Sequence, residues 1–189
     1  MAVLDPIQAK YAELVELFNW WIPAYVPDAN TFLVGQSTAK IPNPCVAYNP
    51  IVSVDFVGHD ERRVIDGNEV LRGQRTITCD LYGFSDSATR FDGEITAWDM
   101  LQALRFSLGF PEVVERFGSV NCRILDEGTV SNVSQTLNTT NEPRAVLQFM
   151  LSTVIIQSID SGVIENIEGS VTLQGSTEEF DSNYSVSKP

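Results

Sequence analysis

The chain has 189 residues, with 25 Asp and Glu against 12 Lys and Arg, and a formal net charge of -13. This length supports one domain with a substantial core, and the acidic excess disfavours binding to phosphate backbones or anionic membranes. No apolar run approaches the roughly 20 residues that a membrane helix needs, and the first thirty residues lack a signal-peptide pattern, so we expect a soluble, unexported chain.

The N-terminal part predicts a helix followed by an extended connector. Asp5 and Pro6 form a helix-start signal, and apolar residues then recur at helical spacing until Pro23. This pattern predicts an amphipathic helix over residues 5–22. Residues 23–44 contain four prolines and a glycine, a density that helices and central strands do not tolerate well. They predict an extended connector.

The next segments predict a hairpin and a half-buried strand. Short apolar runs within residues 45–57 predict a strand, and the strongly polar residues 58–69 predict a solvated hairpin loop. Residues 75–83 alternate between apolar and polar positions, which is typical of a strand with one buried face. The positions expected to face inward are Ile77, Cys79 and Leu81.

Two helices are predicted after this strand. Five apolar residues recur at helical spacing and predict the buried face of the first helix: Ile95, Trp98, Leu101, Leu104 and Leu108. The second helix is short, because Pro111 is suited to its start and Gly118 to its end. Asp86 and Glu94 flank the loop before the first helix, where negative charge interacts favourably with the helix dipole.

The C-terminal half predicts strands separated by one long loop. Residues 120–125 alternate as a strand does, whereas the polar residues 126–142 predict a loop. Residues 144–160 form the longest β-rich run, well beyond an ordinary strand length, so this strand is expected to bend or to project from the domain.

The last part of the chain predicts one more strand and a polar tail. Ser161 and Gly162 suit a short turn, and the sequence that follows it predicts a final strand. Residues 174–189 are rich in Ser and polar, as chain termini often are. The whole order predicts a single α+β domain over residues 1–173, with a mostly antiparallel sheet, helices packed on one face, and a projecting hairpin or long strand.

Catalytic and metal-binding patterns are weak in this sequence. His59 is the single histidine, and it lies in a charged segment without a nucleophile motif, which favours a solvated surface role over catalysis. The three cysteines are widely spaced and have no companion histidines, so they are expected to be reduced core residues rather than zinc ligands. They are Cys45, Cys79 and Cys122. We therefore expect no enzymatic activity and no cofactor.

The tryptophans are candidates for a binding surface. Trp20 and Trp21 are adjacent, so they point in different directions from a helix, and at least one is expected to contact another surface, such as a subunit interface. Trp98 lies on the apolar face of the next helix and is expected to be in the core.

Several strings resemble the neck or tail terminator family of tailed bacteriophages. They are "NPCVAYNPI", "TITCDLYGFSDSATRFDGEITAWDMLQALRF", "PEVVERFG" and "PRAVLQFMLSTVIIQSIDSGVIENIEG". In that family a strand ending in D-x-Y-G precedes a polar loop and a helix, and a long strand with an early Arg leads to I-x-x-I-x-G. The matching positions here are Asp80–Gly83, Arg144 and Ile164–Gly169. The resemblance covers residues 45–169, and the aromatic N-terminal helix and polar C-terminal extension depart from it.

The resemblance implies a non-enzymatic virion protein. Members of the family form a ring, expected to be a hexamer, at the head-proximal end of the tail tube, where they stop tube polymerisation and join the tail to the head connector. The implied partners are further copies of the chain, the tail tube protein, the head–tail connector or other neck proteins and, if the tail is contractile, the sheath protein. The implied location is the virion, after assembly in the host cytoplasm.

Two groups of residues are candidates for a role in such a ring. Because a ring subunit needs two complementary surfaces, Arg62, Arg63 and Arg144 are proposed to contact other subunits or the tube. An acidic lumen would repel the passing genome, which is not bound specifically; a role of the acidic charge in solubility alone is an equal alternative. The candidate lumen residues are Asp60, Glu61, Asp66, Asp126 and Glu127.

Two other functions remain open from the sequence. The first is a head-completion protein, a stopper or another neck or tail component with a similar sheet. The second is a small α+β enzyme or ligand-binding domain that uses Asp80, Asp99 or His59. A deep polar pocket around these three residues in a monomer would favour the second.

Overall fold

The computed structural model describes residues 6–35, 42–65, 68–86, 95–137 and 140–159. Three helices are present in these ranges: α1 Pro6–Tyr25, α2 Ala97–Ser107 and α3 Pro111–Ser119. The strands are β1 Asn30–Leu33, β2 Cys45–Ile65, β3 Asn68–Phe84, β4 Cys122–Asn132, β5 Gln135–Leu137, β6 Thr140–Glu142 and β7 Arg144–Ile159.

The main sheet has five strands in the order β1-β2-β3-β7-β4. The short β1 pairs with β2 in parallel, and every other pairing in this sheet is antiparallel. β5 and β6 form a separate antiparallel pair. The α+β class with a mostly antiparallel sheet is therefore confirmed.

The core lies between the three helices and one face of the sheet. Alternate residues of β3 and β7 are buried and stand opposite one another, as in the pairs Ile77–Leu151 and Cys79–Phe149. Phe18 of α1 is at the centre, and its ring packs against four other aromatic rings, those of Trp21, Tyr48, Phe117 and Phe149. Each large apolar side chain buried in this way contributes about 1.5–3 kcal/mol relative to exposure.

The N-terminal helix and the connector differ from the prediction. α1 continues past Pro23 to Tyr25, because a proline this close to the C-terminus of a helix removes only a bond of the last turn. The predicted connector is not a simple link, since residues 23–25 belong to α1 and residues 30–33 form β1, which pairs with the first part of β2. Proline-rich sequence thus hid a strand that lies at an edge of the sheet, where proline neighbours are tolerated.

Both segments expected to be loops contain strands. Residues 58–65 belong to β2 and residues 68–69 to β3, whereas most of residues 126–142 lie in β4, β5 and β6. The described side chains of residues 58–65 are exposed on both faces of the sheet. Polar residues therefore occupy both sets of alternate positions, and the period-two pattern of a half-buried strand is absent.

The buried face of α2 is rotated relative to the prediction. The predicted positions Leu101, Leu104 and Leu108 are buried, but Ile95 and Trp98 are exposed, and Ala97 and Met100 are buried in their place. The helix begins against β3, because a Cβ built on Gly83 would lie 2.8 Å from the carbonyl oxygen of Ala97. Only glycine therefore fits at position 83 of β3 without a shift of the helix.

Some predicted features lie outside the described residues. They are the final strand after Ser161 and Gly162, the polar tail of residues 174–189, the acidic residue Asp66, and Glu94 before α2.

Candidate assembly surfaces

The longest strands of the sheet extend well past the helices. Beyond the buried pair Ile77–Leu151, β4 pairs only with Ser152 and Thr153, and the sheet then continues as three strands. We refer to residues 55–65, 68–76 and 152–159 as the arm. Several large apolar side chains of the arm are exposed, including Phe56 (72%), Val64 (72%) and Ile156 (58%). The projecting hairpin or long strand expected from the sequence is thus a three-stranded extension of the main sheet.

A bulge in β2 shapes the base of the arm. Val57 pairs with Gln74, whereas Glu61 pairs with Arg72, so β2 contains two extra residues at this point. Gly58 in the bulge has a φ of +73°, a conformation that glycine adopts without strain. Such bulges bend a strand and redirect its side chains.

Asp60 is directed by the bulge onto Arg75 of the neighbouring strand. The two guanidinium nitrogens of Arg75 donate to the two carboxylate oxygens of Asp60 at 2.7 and 2.8 Å, and the guanidinium carbon lies 4.0 Å from the centre of the Phe56 ring. The hydrogen bonds from Arg75 hold the pKa of the Asp60 carboxyl below its ordinary value of 3.8. A Cβ on Gly73 would collide with this pair, at 1.9 Å from Asp60 Oδ1.

The remaining described charges of the arm are also paired or balanced. Arg62 forms an ion pair with Glu69 at 2.6 Å, and Arg63 pairs with Glu61. Both arginine side chains are largely exposed, so these ion pairs contribute little to stability. Asp60 and Glu61, expected to line an acidic lumen, therefore each have a basic partner.

The other lumen candidates lie in a different part of the sheet. Asp126 stands opposite Met150 in β4, and its carboxylate accepts a hydrogen bond of 2.8 Å from the amide of Gly128. Glu127 is exposed and lies near the turn between α2 and α3, because its Oε1 is 3.9 Å from a Cβ built on Gly109. The structure does not bring these two residues together with those of the arm.

The two N-terminal tryptophans have different environments. Trp21 is fully buried, and its indole N–H donates to the hydroxyl of Ser107 at 2.8 Å. It is a core residue, so it is not available for a contact with another subunit. Trp20 is half-buried, and the guanidinium of Arg116 lies 4.8 Å from its ring. Trp20 thus remains the one of the pair that is placed near the surface.

Arg144 is far from the other two candidate arginines. It begins β7 and stands opposite Phe84, whose ring centre is 5.4 Å from its guanidinium carbon. Arg63 stands opposite Val70, near the other end of β3. At about 3.3 Å per residue, the two ends are roughly 45 Å apart, so these arginines belong to opposite ends of the sheet.

The three residues of the enzyme alternative are also separate. Asp80 is buried within the face of the sheet away from the helices, where it accepts hydrogen bonds from Tyr82 and Gln148, both at 2.9 Å. Asp99 accepts a hydrogen bond from Thr96, the N-cap of α2, and His59 is exposed in the arm. Burial and the neighbouring carboxylate raise the pKa of Tyr82 above 10.

The described thiols and acidic groups are dispersed through the fold. Within the part of the chain that the structure describes, no group of three or more His, Cys, Asp or Glu could hold a metal ion, and no described helix is long and apolar enough to cross a membrane. The three cysteines are free and buried. Burial raises the pKa of each, that of Cys45 to about 11 with a smaller contribution from Asp86.

A family model described as phage neck terminator protein matches residues 12–178. The chain belongs to this family. No curated protein matches the sequence significantly. The match includes most of α1 and extends past residue 169, so the N-terminal helix of this terminator-family chain is part of the family pattern rather than a departure from it.

Membership gives the broad role of the protein. The neck terminators are structural proteins of bacteriophage particles, so this chain is a virion protein of the neck or tail and acts through contacts with other phage tail and head proteins.

Sequence reasoning missed three residues that shape the arm of this terminator. Phe56 and Arg75 form a cross-strand pair, but the register that joins them is not visible in the sequence. The sequence did contain one indication of the role of Gly73, because a glycine inside a β-rich run often marks a close approach of other atoms.

Proposed function

We propose that this neck terminator forms a ring of six copies at the head-proximal end of the tail tube. The ring stops polymerisation of the tube and joins the finished tail to the head connector. Its partners are further copies of the chain, the tube protein, the connector and, in a contractile tail, the sheath. Family membership supports the neck role, and the exposed arm is the structural observation that supports assembly through this chain's own surfaces.

The arm has the composition of a surface that other chains cover. Phe56 and Val64 point to the same side of the sheet as the helices, whereas Ile156 points to the opposite side, so apolar surface is exposed on both faces. Exposed apolar patches of this kind commonly mark interaction sites. The balanced charges of the arm remove the repulsion that a chain of net charge -13 would otherwise bring to a contact between copies.

The free edge of β2 is a second feature suited to assembly. β1 pairs with residues 45–48 of β2, and no described strand covers the same edge of residues 49–65. An uncovered edge presents N–H and C=O groups that can pair with another chain. The arm and the opposite end of the sheet, with Arg144, provide two different surfaces, as a head-to-tail ring requires.

The acidic residues best suited to line the bore of such a ring lie in β4 rather than in the arm. Asp126 and Glu127 are exposed and, in contrast to Asp60 and Glu61, form no ion pair with a described residue within 4 Å. Facing a bore, they would repel the phosphates of passing DNA over about a Debye length, roughly 10 Å. DNA then passes through without specific binding.

The test compares two valine substitutions that differ in position. Val64→Asp lies on the arm, and Val114→Asp is a matched control on α3, where the side chain is also exposed. We expect Val64→Asp to reduce ring formation on tail tubes and to give overlong or headless tails by electron microscopy, because it places an unpaired charge in the contact. Val114→Asp should assemble normally.

Two results would contradict this proposal. Normal assembly by Val64→Asp, with failure of Val114→Asp, would move the contact from the arm to the helices. Particles lacking the protein that have normal tails and heads that leak DNA would identify a stopper instead. A protein that is monomeric in solution without tail tubes is compatible with the proposal, because ring formation can depend on binding to the tube.

A further inference from the structure

The bulge at the base of the arm sets the pairing of everything beyond it. Val57 pairs with Gln74 before the bulge, and Arg63 pairs with Val70 after it. Between these pairs, residues 58–60 of β2 stand against a single residue of β3. The two extra residues of β2 therefore fix which side chains stand opposite each other in the outer part of the arm.

A register without the bulge is available to the same two strands. If β2 kept the alignment that it has at Val57, Arg63 would stand opposite Asn68. Residues 58–63 of β2 would then pair with β3 in place of the observed residues 61–65. Two residues separate the last observed pair in the sequence, and four would separate the last pair of the alternative. Hairpins commonly have connections of either length.

The composition of this segment does not choose between the two registers. Residues 58–65 are exposed on both faces of the sheet, and a strand without a buried face has a weakly specified register. A shift of two residues also keeps every side chain on its own face, because the side-chain period of a strand is two. The choice therefore depends on a specific contact.

We propose that the ion pair of Asp60 with Arg75 holds the arm in the bulged register. The pair joins the bulge to β3 through two hydrogen bonds of 2.7 and 2.8 Å. In the register without the bulge, Asp60 would stand opposite Leu71, four residues from Arg75 along β3. At about 3.3 Å per residue this separation is about 13 Å, so the pair could form only in the observed register.

The surroundings of Arg75 make the loss of this pair costly. Its side chain is only 9% exposed, and a largely buried charge without a partner is strongly destabilising. The ring of Phe56 packs on its guanidinium at 4.0 Å, and Phe56 precedes the bulge, so this contact is the same in both registers. Asp60 reaches Arg75 in one register only, and it is therefore the residue that distinguishes them.

The register determines how far Val64 lies along the arm. Val64 stands opposite Glu69 in the observed register. In the alternative it would lie beyond the last pair, about 7 Å farther along the strand. Asp60 and Arg75 thus act as positioning residues for the exposed apolar surface of the arm. This inference concerns a single copy of the chain and does not depend on the ring.

Cross-linking between β2 and β3 distinguishes the two registers. In Arg63→Cys/Val70→Cys the two residues stand directly opposite each other, with Cα atoms about 4.5–5.5 Å apart, and a disulfide needs about 4.4–6.8 Å. In Arg63→Cys/Asn68→Cys they are diagonal neighbours, about 7–8 Å apart, and would stand opposite each other only without the bulge. Mild oxidation of the dilute full-length chain should therefore link mainly the first variant. The three native thiols are buried and should not compete.

Two substitutions disrupt the ion pair from opposite strands. Asp60→Ala removes the carboxylate. Gly73→Ala displaces the ends of both side chains, because its Cβ would lie 1.9 Å from Asp60 Oδ1 and 2.2 Å from Arg75 Nη1. Each substitution, made in both cysteine variants, should raise the yield of the Asn68→Cys link relative to that of the Val70→Cys link by at least about tenfold. The reason is the loss of a charge-assisted, bidentate pair.

Glu61→Ala is the matched control, because it removes the exposed carboxylate of the next residue in β2. It should leave the relative yields unchanged. Unchanged yields in both Asp60→Ala and Gly73→Ala, or an equal change in Glu61→Ala, would overturn the inference.

Hydrogen exchange separates a shift of register from a loss of structure. Residues 61–63 are paired with β3 in both registers, so their amide protection should persist in Asp60→Ala if the strand shifts. Loss of that protection in Asp60→Ala and in Gly73→Ala would show that the end of the arm unfolds instead of adopting a second register. That result would also overturn the inference, without affecting the neck role.

Discussion

The hydrogen bond between Trp21 and Ser107 gives a direct test of how α1 is anchored to the rest of the fold. Trp21→Phe keeps an aromatic ring in the core but removes the indole N–H that donates to the Ser107 hydroxyl at 2.8 Å. Ser107 itself keeps its bond to the carbonyl of Leu104, at 2.7 Å. The perturbation therefore removes one buried hydrogen bond and part of one ring.

The expected cost has two parts of similar size. Loss of a buried hydrogen bond costs about 0.5–1.5 kcal/mol. The smaller ring removes about 40 Å³, which at about 24 cal/mol per Å³ of residual cavity costs about 1 kcal/mol. We therefore expect Trp21→Phe to lower the free energy of unfolding by about 2 kcal/mol.

A double-mutant cycle separates these two parts. Urea unfolding of the wild type, Trp21→Phe, Ser107→Ala and the double variant, followed by far-ultraviolet circular dichroism, should give a coupling of about 1 kcal/mol between the two positions. Trp20→Phe is the control, because that ring is half-buried beside Arg116, and it should couple to Ser107→Ala by less than about 0.3 kcal/mol. A coupling near zero for Trp21, or an equal one for Trp20, would refute the hydrogen bond between Trp21 and Ser107 as an anchor of α1.

Two further predictions concern the glycines and the thiols. Gly128→Ala should cost about 2–3 kcal/mol in urea unfolding, because Gly128 has a φ of +66° and a Cβ there would lie 1.7 Å from the carbonyl oxygen of Gln148. Gly118→Ala should instead stabilise α3 by about 0.5–1 kcal/mol, since open space surrounds that position; equal losses would contradict this difference. Burial raises the pKa of Cys45 from 9.0 to about 11, because the folded protein favours the neutral thiol. The stabilisation from burying this neutral thiol is fully present below pH 9 and is lost as the pH rises toward 11. Unfolding free energies across this range should therefore decline less steeply for Cys45→Ala than for the wild type, and identical slopes would contradict the shift.

The candidate interface residues divide into those that sequence could locate and those that it could not. Arg62 and Arg63 lie in a charged, solvated segment, and the structure places both side chains at the surface of the arm. Trp20 and Trp21 could not be distinguished, because the direction in which each points depends on how α1 packs on the sheet. The pairing of Asp60 with Arg75 could not be foreseen either, since it depends on a bulge that shifts the register of β2.

The sequence by itself determined which residues are buried in those elements that have one covered face. β3 was predicted with its inward positions Ile77, Cys79 and Leu81 because helices cover one of its faces, and that asymmetry imposes a period of two. α3 was predicted by the proline at its start. Together with the order of the elements, these signals predicted the α+β class, whereas the family resemblance rested on four local strings and their order.

Tertiary structure alone decided the features that lack such an asymmetry. Residues 58–65 of β2 are exposed on both faces, so no alternation in their sequence distinguishes them from a loop. Only their pairing with β3 makes this segment a strand. Likewise, the rotation of α2 that buries Ala97 and Met100 and leaves Trp98 exposed depends on how the helix packs on the sheet. Local sequence carries a clear signal where a residue's burial follows from its own element, and the signal is lost where burial is set by contacts between distant parts of the chain.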